Sequence, residues 1–202
     1  MTEPSFRQKI ADYILSNAKP VDKWSHQPRL YALACRLAET RPFDDDVLYA
    51  AAWLHDIGVF IGHRPEDPAA LAKWDNLVYA LEKVPALLKE FGFPPEKISP
   101  VIEVIRTHLP SGEPTTFEGE LLRDADILEQ LGAIGILRNV SKVGRDTRFF
   151  RFGDTIKLLQ RNVTQLPAQL RLASARRMAE QRVKVLQTFL DAAHEESCGV
   201  EL

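Results

Sequence analysis

Residues 47–58 read VLYAAAWLHDIG and carry the pattern that decides the fold. The segment is apolar on every side of a predicted helix from Val47 to Leu54, which indicates a helix buried at the centre of a bundle. His55 and Asp56 follow directly. A charged aspartate is rarely buried unless it is paired or bound to a cation, because the loss of its hydration is costly. The sequence therefore predicts a buried helix that ends at a polar site.

Helical periodicity extends over nearly the whole chain. Apolar residues recur at spacings of three and four, and no stretch shows the sustained alternation of a strand, so we predict an all-α fold, a compact multi-helix bundle. A basic, aromatic loop is predicted over residues 142–154. The predicted helices cover residues 5–17, 25–38, 47–57, 68–91 with a restart at Pro85, 98–108, 115 or 116 through 137, and 167–193.

The composition is that of an ordinary globular protein. Hydrophobic residues make up 45% of the 202 residues and charged residues 27%, with a formal net charge of −2, so neither a nucleic-acid polymer nor a membrane is expected as a partner. The charged N-terminal stretch does not resemble a signal peptide, and we expect a cytoplasmic protein. Cys35 and Cys198 show no metal-type spacing. No domain boundary stands out, which predicts one domain over residues 1–202.

A metal ion is the natural partner for the His55–Asp56 pair. Adjacent helical side chains point about 100° apart, so both can approach one ion beyond the helix end. Further ligands must come from other helices, where His26, His108 and Asp126 are polar residues among core-like neighbours. Imidazoles and carboxylates together suit Mn²⁺, Fe²⁺, Co²⁺ or Zn²⁺ and extend to Mg²⁺. The sequence predicts one divalent ion and leaves its identity open.

Three motifs resemble the HD superfamily of metal-dependent phosphohydrolases, whose signature is H…HD…D on separate helices. They are WSHQPRLYALACRLAE at 24–39, AAWLHDIG at 51–58 and DADILEQLGAIGI at 124–136. The last helix, AQLRLASARRMAEQRVKVLQTFLDAA, is also similar to the family's closing helix. The resemblance covers about residues 20–193 and implies a single HD-type domain.

The resemblance also implies roles for individual residues. It gives the metal ligands as His26, His55, Asp56 and Asp126, with Asp124 as the alternative to Asp126. Asp126 is preferred because Ala125–Glu129 fits the family's A-D-x-x-(D/E) frame. The candidates for general base or proton shuttle are Asp56, Asp124 and Glu129. The candidates for contacting a substrate phosphate are Arg29, His108, Arg145 and Arg148.

Hydrolysis of a phosphate ester by a metal-activated water is the function that the resemblance implies. The substrate is expected to be a nucleotide or another small phosphorylated metabolite. Two alternatives stay open: a non-catalytic, metal-binding regulatory module, and a di-iron oxygenase. Asp75–Asn76 stands where two-metal relatives have a histidine, which favours a single ion and disfavours the oxygenase. A homodimer through the long C-terminal helix is also open.

Overall fold

The computed structural model describes residues 3–20, 25–145 and 148–202. Within these ranges the chain forms α-helices and short 3-10 turns and no β-strand, so the predicted all-α fold is confirmed. In chain order the helices are α1 Phe6–Asn17, α2 His26–Leu37, α3 Asp45–Leu54, α4 Pro68–Ala72, α5 Asn76–Glu90, α6 Pro95–Thr107, α7 Phe117–Glu129, α8 Gly132–Val140, α9 Phe152–Gln165 and α10 Ala173–Glu196. None of the helices in the described ranges combines the length and hydropathy that a membrane crossing requires.

The chain divides into two compact units, Met1–Arg123 and Asp124–Leu202. Helix α7 contains the point of division, and each unit is described by itself. The prediction of one domain over residues 1–202 stays a prediction.

Helix α3 forms the centre of the first unit, as its sequence predicts. It packs against α1, α2 and α6, and α5 packs against α6. Leu48, the alanines 50–52 and Leu54 are completely buried. Burial of a leucine side chain contributes about 1.5–3 kcal/mol, so this helix provides much of the core of the unit. It also fixes the position of His55, which follows its last residue.

The beginning of α3 is held by side chains rather than by core packing alone. Asp44 caps the helix by accepting hydrogen bonds from the backbone N–H groups of Asp46 and Val47, at 3.1 and 3.2 Å. Arg7 from α1 pairs with Asp45 and Asp46, both at 2.7 Å. Lys97 from α6 pairs with Asp44 and Asp46, at 2.9 and 3.0 Å. Two neighbouring helices are therefore tied to one end of α3.

The predicted helix over residues 68–91 is divided at a different place than expected. The chain breaks between α4 and α5 at residues 73–75, whereas Pro85 lies inside a continuous α5. Asp75 explains the break, because its carboxylate accepts from the N–H groups of Leu77 and Val78 at 2.8 and 3.1 Å and so starts a new helix. A buried face formed by residues such as Val84 and Leu88 keeps α5 intact through the proline.

The next predicted helix, 98–108, begins earlier and ends nearly where expected. Helix α6 starts at Pro95, because a proline at the first helical position has no N–H left unsatisfied there. The predicted helix through residue 137 is interrupted after Glu129. Helix α8 begins at Gly132, whose φ of +67° is one that residues with a Cβ rarely adopt.

In the second unit, α8, α9 and α10 pack on one another. Helix α9 was missed by the sequence analysis, which extended a loop to residue 154 and assigned no element to 155–166. Asp154 accepts from the N–H groups of Phe150 and Arg151, at 2.9 and 3.1 Å, and so caps the helix start. Residues 146 and 147 of the predicted loop lie outside the described residues. The last helix begins at Ala173 rather than at Pro167, because residues 167–169 form a separate 3-10 turn.

Candidate metal centre

Three of the four predicted metal ligands come together in the first unit. His26 is the first residue of α2, His55 caps the end of α3, and Asp56 follows it. One ligand atom from each residue lies within 4.8 Å of the other two, close enough for all three to hold one ion. His26 is 7% exposed and His55 1%. The Asp56 side chain is 29% exposed, so the cluster is most accessible at its carboxylate.

The orientation of His55 suits metal binding. Its Nδ1 lies 3.0 Å from the carbonyl oxygen of Ala52. A carbonyl only accepts hydrogen bonds, so Nδ1 must donate, and in the neutral ring Nε2 then carries the lone pair. Nε2 lies 3.7 Å from Oδ2 of Asp56. A backbone carbonyl that fixes the ring in this way is a usual feature of histidine ligands.

His108 adds a third imidazole to the neighbourhood. It caps the end of α6, is 2% exposed, and its ring centroid lies 4.9 Å from that of His55. Its Nδ1 donates to the carbonyl of Ile105 at 2.6 Å, which leaves the lone pair on Nε2 as in His55. The ring centroid of His26 lies 5.4 Å from that of His55. His108 is not among the three residues whose ligand atoms converge, and its substrate role stays a prediction.

The turn after the cluster is fixed by close packing at Gly58. A Cβ at this position would lie 2.6 Å from the carbonyl oxygen of Asn76, so only glycine lets the backbone at the start of α5 approach. The indole Nε1 of Trp74 donates to the Gly58 carbonyl at 2.9 Å. Gly58 is therefore a point of close packing between the turn after the His-Asp pair and the start of α5.

The predicted phosphate-binding arginines lie in different surroundings. Arg29 is one turn after His26 on α2, half-buried, and its Nη1 donates to the hydroxyl of Ser25 at 3.0 Å. Arg145 and Arg148 are exposed residues of the second unit. Arg145 donates to the carbonyl of Ser141 at 2.8 Å, and the Arg148 guanidinium lies 5.8 Å from the Phe149 ring centroid. None of these contacts tests a substrate role.

Asp124 and Asp126, the two alternatives for the last ligand, differ sharply within the second unit. Asp124 is completely buried, and its Oδ2 accepts from the backbone N–H groups of Arg171 and Leu172 at 2.9 and 2.7 Å. These bonds tie α7 to the segment that precedes α10. The Asp126 side chain is 13% exposed, and Gln130 is its neighbour at 3.4 Å.

Arg138 lies beside Asp126 and Glu129, a contact that the sequence analysis did not predict. Its Nη1 lies 3.9 Å from Oδ1 of Asp126 and 3.7 Å from Oε2 of Glu129, whose side chain is 3% exposed. In one continuous helix about 13 Å would separate residues 129 and 138, at about 1.5 Å per residue. The interruption before Gly132 brings them together. Gly132 is the sequence signal for this interruption, because glycine is disfavoured in the interior of a helix.

Comparison with known proteins identifies the family. The family model for the HD domain matches residues 24–131. The uncharacterized protein YpgQ of Bacillus subtilis strain 168 is 25% identical over 201 residues, which cover 93% of this chain and 90% of that protein. The crystal structure of B. subtilis YpgQ in complex with ADP aligns with a TM-score of 0.72 at 21% identity, over 98% of this chain and 97% of that one. An HD-superfamily hydrolase from Bacillus thuringiensis aligns with a TM-score of 0.68 at 22% identity, over 96% and 97%.

Proposed function

This chain belongs to the HD-domain family, and we propose on that premise that it is a metal-dependent phosphohydrolase acting on a nucleotide or another small phosphate ester. The observation that carries the proposal is the convergence of His26, His55 and Asp56 around one point of the first unit. The description of the B. thuringiensis relative as a hydrolase agrees with it.

The donor set fits a divalent metal. Two imidazole nitrogens and a carboxylate oxygen suit Mn²⁺, Fe²⁺, Co²⁺ or Zn²⁺, and Mg²⁺ is the hardest ion that the set accommodates. The carbonyl of Ala52 holds His55 in the tautomer that a ligand requires. When bound there, such an ion would lower the pKa of a coordinated water and polarise a phosphoryl oxygen.

Asp126 is proposed as the fourth ligand on the strength of its sequence position. The surroundings of Asp124 favour this choice, because Asp124 is fully buried and one of its oxygens already accepts two backbone N–H groups. A carboxylate in that position stabilises the fold around α10 more readily than it binds an ion. The same argument disfavours Asp124 as the general base and leaves Asp56 and Glu129 for accepting the proton of the attacking water.

A nucleotide is the preferred substrate class. A relative of the same fold, YpgQ, has been crystallised with ADP. In this chain Arg29 and His108 are the proposed phosphate contacts of the first unit. Arg29 lies about one helical turn after His26, and the ring centroid of His108 lies 4.9 Å from that of His55. Arginine binds phosphate oxygens in pairs through its planar guanidinium.

Metal content and turnover should be measured on the same preparation. The protein is purified without chelator, metals are determined by mass spectrometry, and phosphate release from nucleotides and phosphorylated metabolites is assayed with Mn²⁺, Co²⁺ or Mg²⁺. Asp56→Asn removes a proposed ligand. Asp12→Asn is the matched control, because Asp12 is an exposed residue of α1 bonded to Gln8.

We expect about one metal per chain and phosphate release that Asp56→Asn abolishes and Asp12→Asn retains. Metal without turnover on any phosphate ester would instead indicate the regulatory module. Two irons per chain with visible absorbance would indicate the oxygenase, and a metal-free protein would refute the site itself.

A further inference from the structure

A group of aromatic rings in the first unit is only half-buried. It consists of residues of α1, of the loops on either side of α4 and of α5, and we call it the aromatic patch: Tyr13, His63, Trp74 and Tyr79. The ring centroid of Tyr79 lies 5.6 Å from that of His63 and 5.3 Å from that of Trp74. The centroids of Tyr13 and His63 are 6.2 Å apart. The four rings therefore form one contiguous surface.

Buried rings lie next to the aromatic patch and belong to the core. Phe60 is completely buried, with its ring centroid 5.6 Å from that of His63. Phe91 is 8% exposed, with its centroid 5.7 Å from that of Tyr13. Val78, which precedes Tyr79 on α5, is in contrast 48% exposed. The aromatic patch is thus an apolar surface that remains in contact with water, and surfaces of that kind are common at ligand-binding sites.

Two residues of the aromatic patch are hydrogen-bonded to the turn that follows the candidate metal centre. Nδ1 of His63 donates to the carbonyl oxygen of Ile57 at 2.8 Å, and Nε1 of Trp74 donates to that of Gly58 at 2.9 Å. Ile57 and Gly58 are the first two residues after Asp56, the most exposed of the three proposed ligands in this unit. These bonds hold both rings in fixed orientations beside the accessible side of the candidate metal centre.

We infer that the aromatic patch binds the base of a nucleotide whose phosphates lie at the candidate metal centre. The inference rests on the proposed function and places a second point of substrate recognition in the same unit. Every base has a flat face that stacks on aromatic side chains. In the neutral ring of His63 the lone pair is on Nε2, which can accept a hydrogen bond from an amino group of the base. Lys83, whose Nζ lies 6.0 Å from the ring centroid of Tyr79, adds a positive charge that suits an anionic ligand.

The test compares two ligands that share a bridged pair of phosphorus groups, the α,β-methylene analogue of ADP and methylenediphosphonate, which has no base. Calorimetry with saturating Mn²⁺ measures both Kd values for the unmodified protein and for Tyr79→Leu, which removes a ring but neither hydrogen bond to the turn. We expect the ADP analogue to bind about 5- to 100-fold more weakly to Tyr79→Leu, as the loss of a stacked base implies, and methylenediphosphonate binding to be unchanged. Tyr79→Phe keeps the ring and should keep the affinity. Phe117→Leu is the matched control, since Phe117 is a half-buried ring of the same unit with the Arg41 guanidinium 3.7 Å from its centroid.

Other results decide against the inference. If both ligands bind equally more weakly to Tyr79→Leu, the ring acts on the turn and not on a base. If neither affinity changes, the aromatic patch does not bind a base, and a changed oligomeric state of the variant in sedimentation would assign the patch to a contact between copies of this chain. If Tyr79→Leu does not fold, Tyr13→Leu provides the same comparison of the two ligands. Failure of the proposed function has a separate signature: the unmodified protein would then release no phosphate from any ester, while the two affinities still show whether the patch binds a base.

Discussion

The two ends of α3 both carry polar side chains, but they are arranged in opposite ways. At the beginning, the carboxylates of Asp44, Asp45 and Asp46 face the cations of Arg7 and Lys97 at 2.7–3.0 Å. At the end, the carboxylate of Asp56 lies with His26 and His55, and its Oδ2 is 3.7 Å from Nε2 of His55. Between them lie completely buried residues such as Leu48 and Leu54.

The difference indicates a structural role for the beginning of α3 and a candidate binding role for its end. Carboxylates that face arginine and lysine are neutralised by the protein itself and tie helices together. A carboxylate grouped with histidine nitrogens can instead have its charge complemented by a metal cation. The partners of a carboxylate, rather than its burial or its position in the helix, therefore indicate its role.

Removal of His55 should have the largest effect. His55→Ala deletes a proposed ligand at the end of α3, so we expect metal binding and phosphate release to fall by more than the roughly 100-fold that loss of an outer-shell partner causes. Metal analysis and turnover provide the measurement. His194→Ala, at an exposed histidine near the end of α10, is the control. If the His55→Ala protein retained one metal per chain, His55 would not be a metal ligand, and the proposed difference in role between the two ends of α3 would be wrong.

Gly58→Ala should have the second largest effect. The added methyl would meet the backbone of Asn76 at 2.6 Å, and backbone cannot move away as a flexible side chain can. We expect the free energy of unfolding in urea to fall by about 2–3 kcal/mol. This result would show that close packing holds the turn beside the candidate metal centre. A loss below about 0.5 kcal/mol would mean that the turn adjusts easily.

Arg7→Met should destabilise the protein without touching the metal centre. The variant leaves Asp45 and Asp46 without a cation from α1, and because Arg7 is one-third exposed we expect a cost between those of surface and buried pairs, about 1–2 kcal/mol. Lys9→Met, on the same helix, removes a pair with the exposed Glu3 and should cost less than about 0.5 kcal/mol. A weaker metal Kd in Arg7→Met would contradict the separation of the two ends.

The sequence predicted the first unit better than the second, for a physical reason. The buried helix and the His26, His55 and Asp56 positions follow from patterns that are local in sequence. The position of Arg138 depends on the two-residue break between α7 and α8. The sequence pattern does not reveal the direction in which the chain leaves this break, and so it does not predict which residues of α8 lie near Glu129. Helix α9 was missed because its start, at Phe152, depends on a capping contact of Asp154 within a basic, aromatic stretch.

The smallest effect concerns pH and belongs to the beginning of α3. The hydrogen bond from Arg7, together with Lys97, holds the pKa of Asp46 below its ordinary value. A carboxyl group with a lowered pKa in the folded state stabilises the protein above its unfolded pKa, and this contribution is lost as pH falls through the folded value. We expect the unmodified protein to exceed Asp46→Asn by about 0.5–1 kcal/mol near neutral pH, with the difference closing below about pH 4. Urea unfolding between pH 3 and 7 measures this difference in the free energy of unfolding. Asp191→Asn, at an exposed residue of α10, is the control for replacing an aspartate by asparagine. A difference that does not vary with pH would mean that Asp46 stabilises α3 through hydrogen bonds alone. The ion pairs at the beginning of α3 would then be those of Asp44 and Asp45.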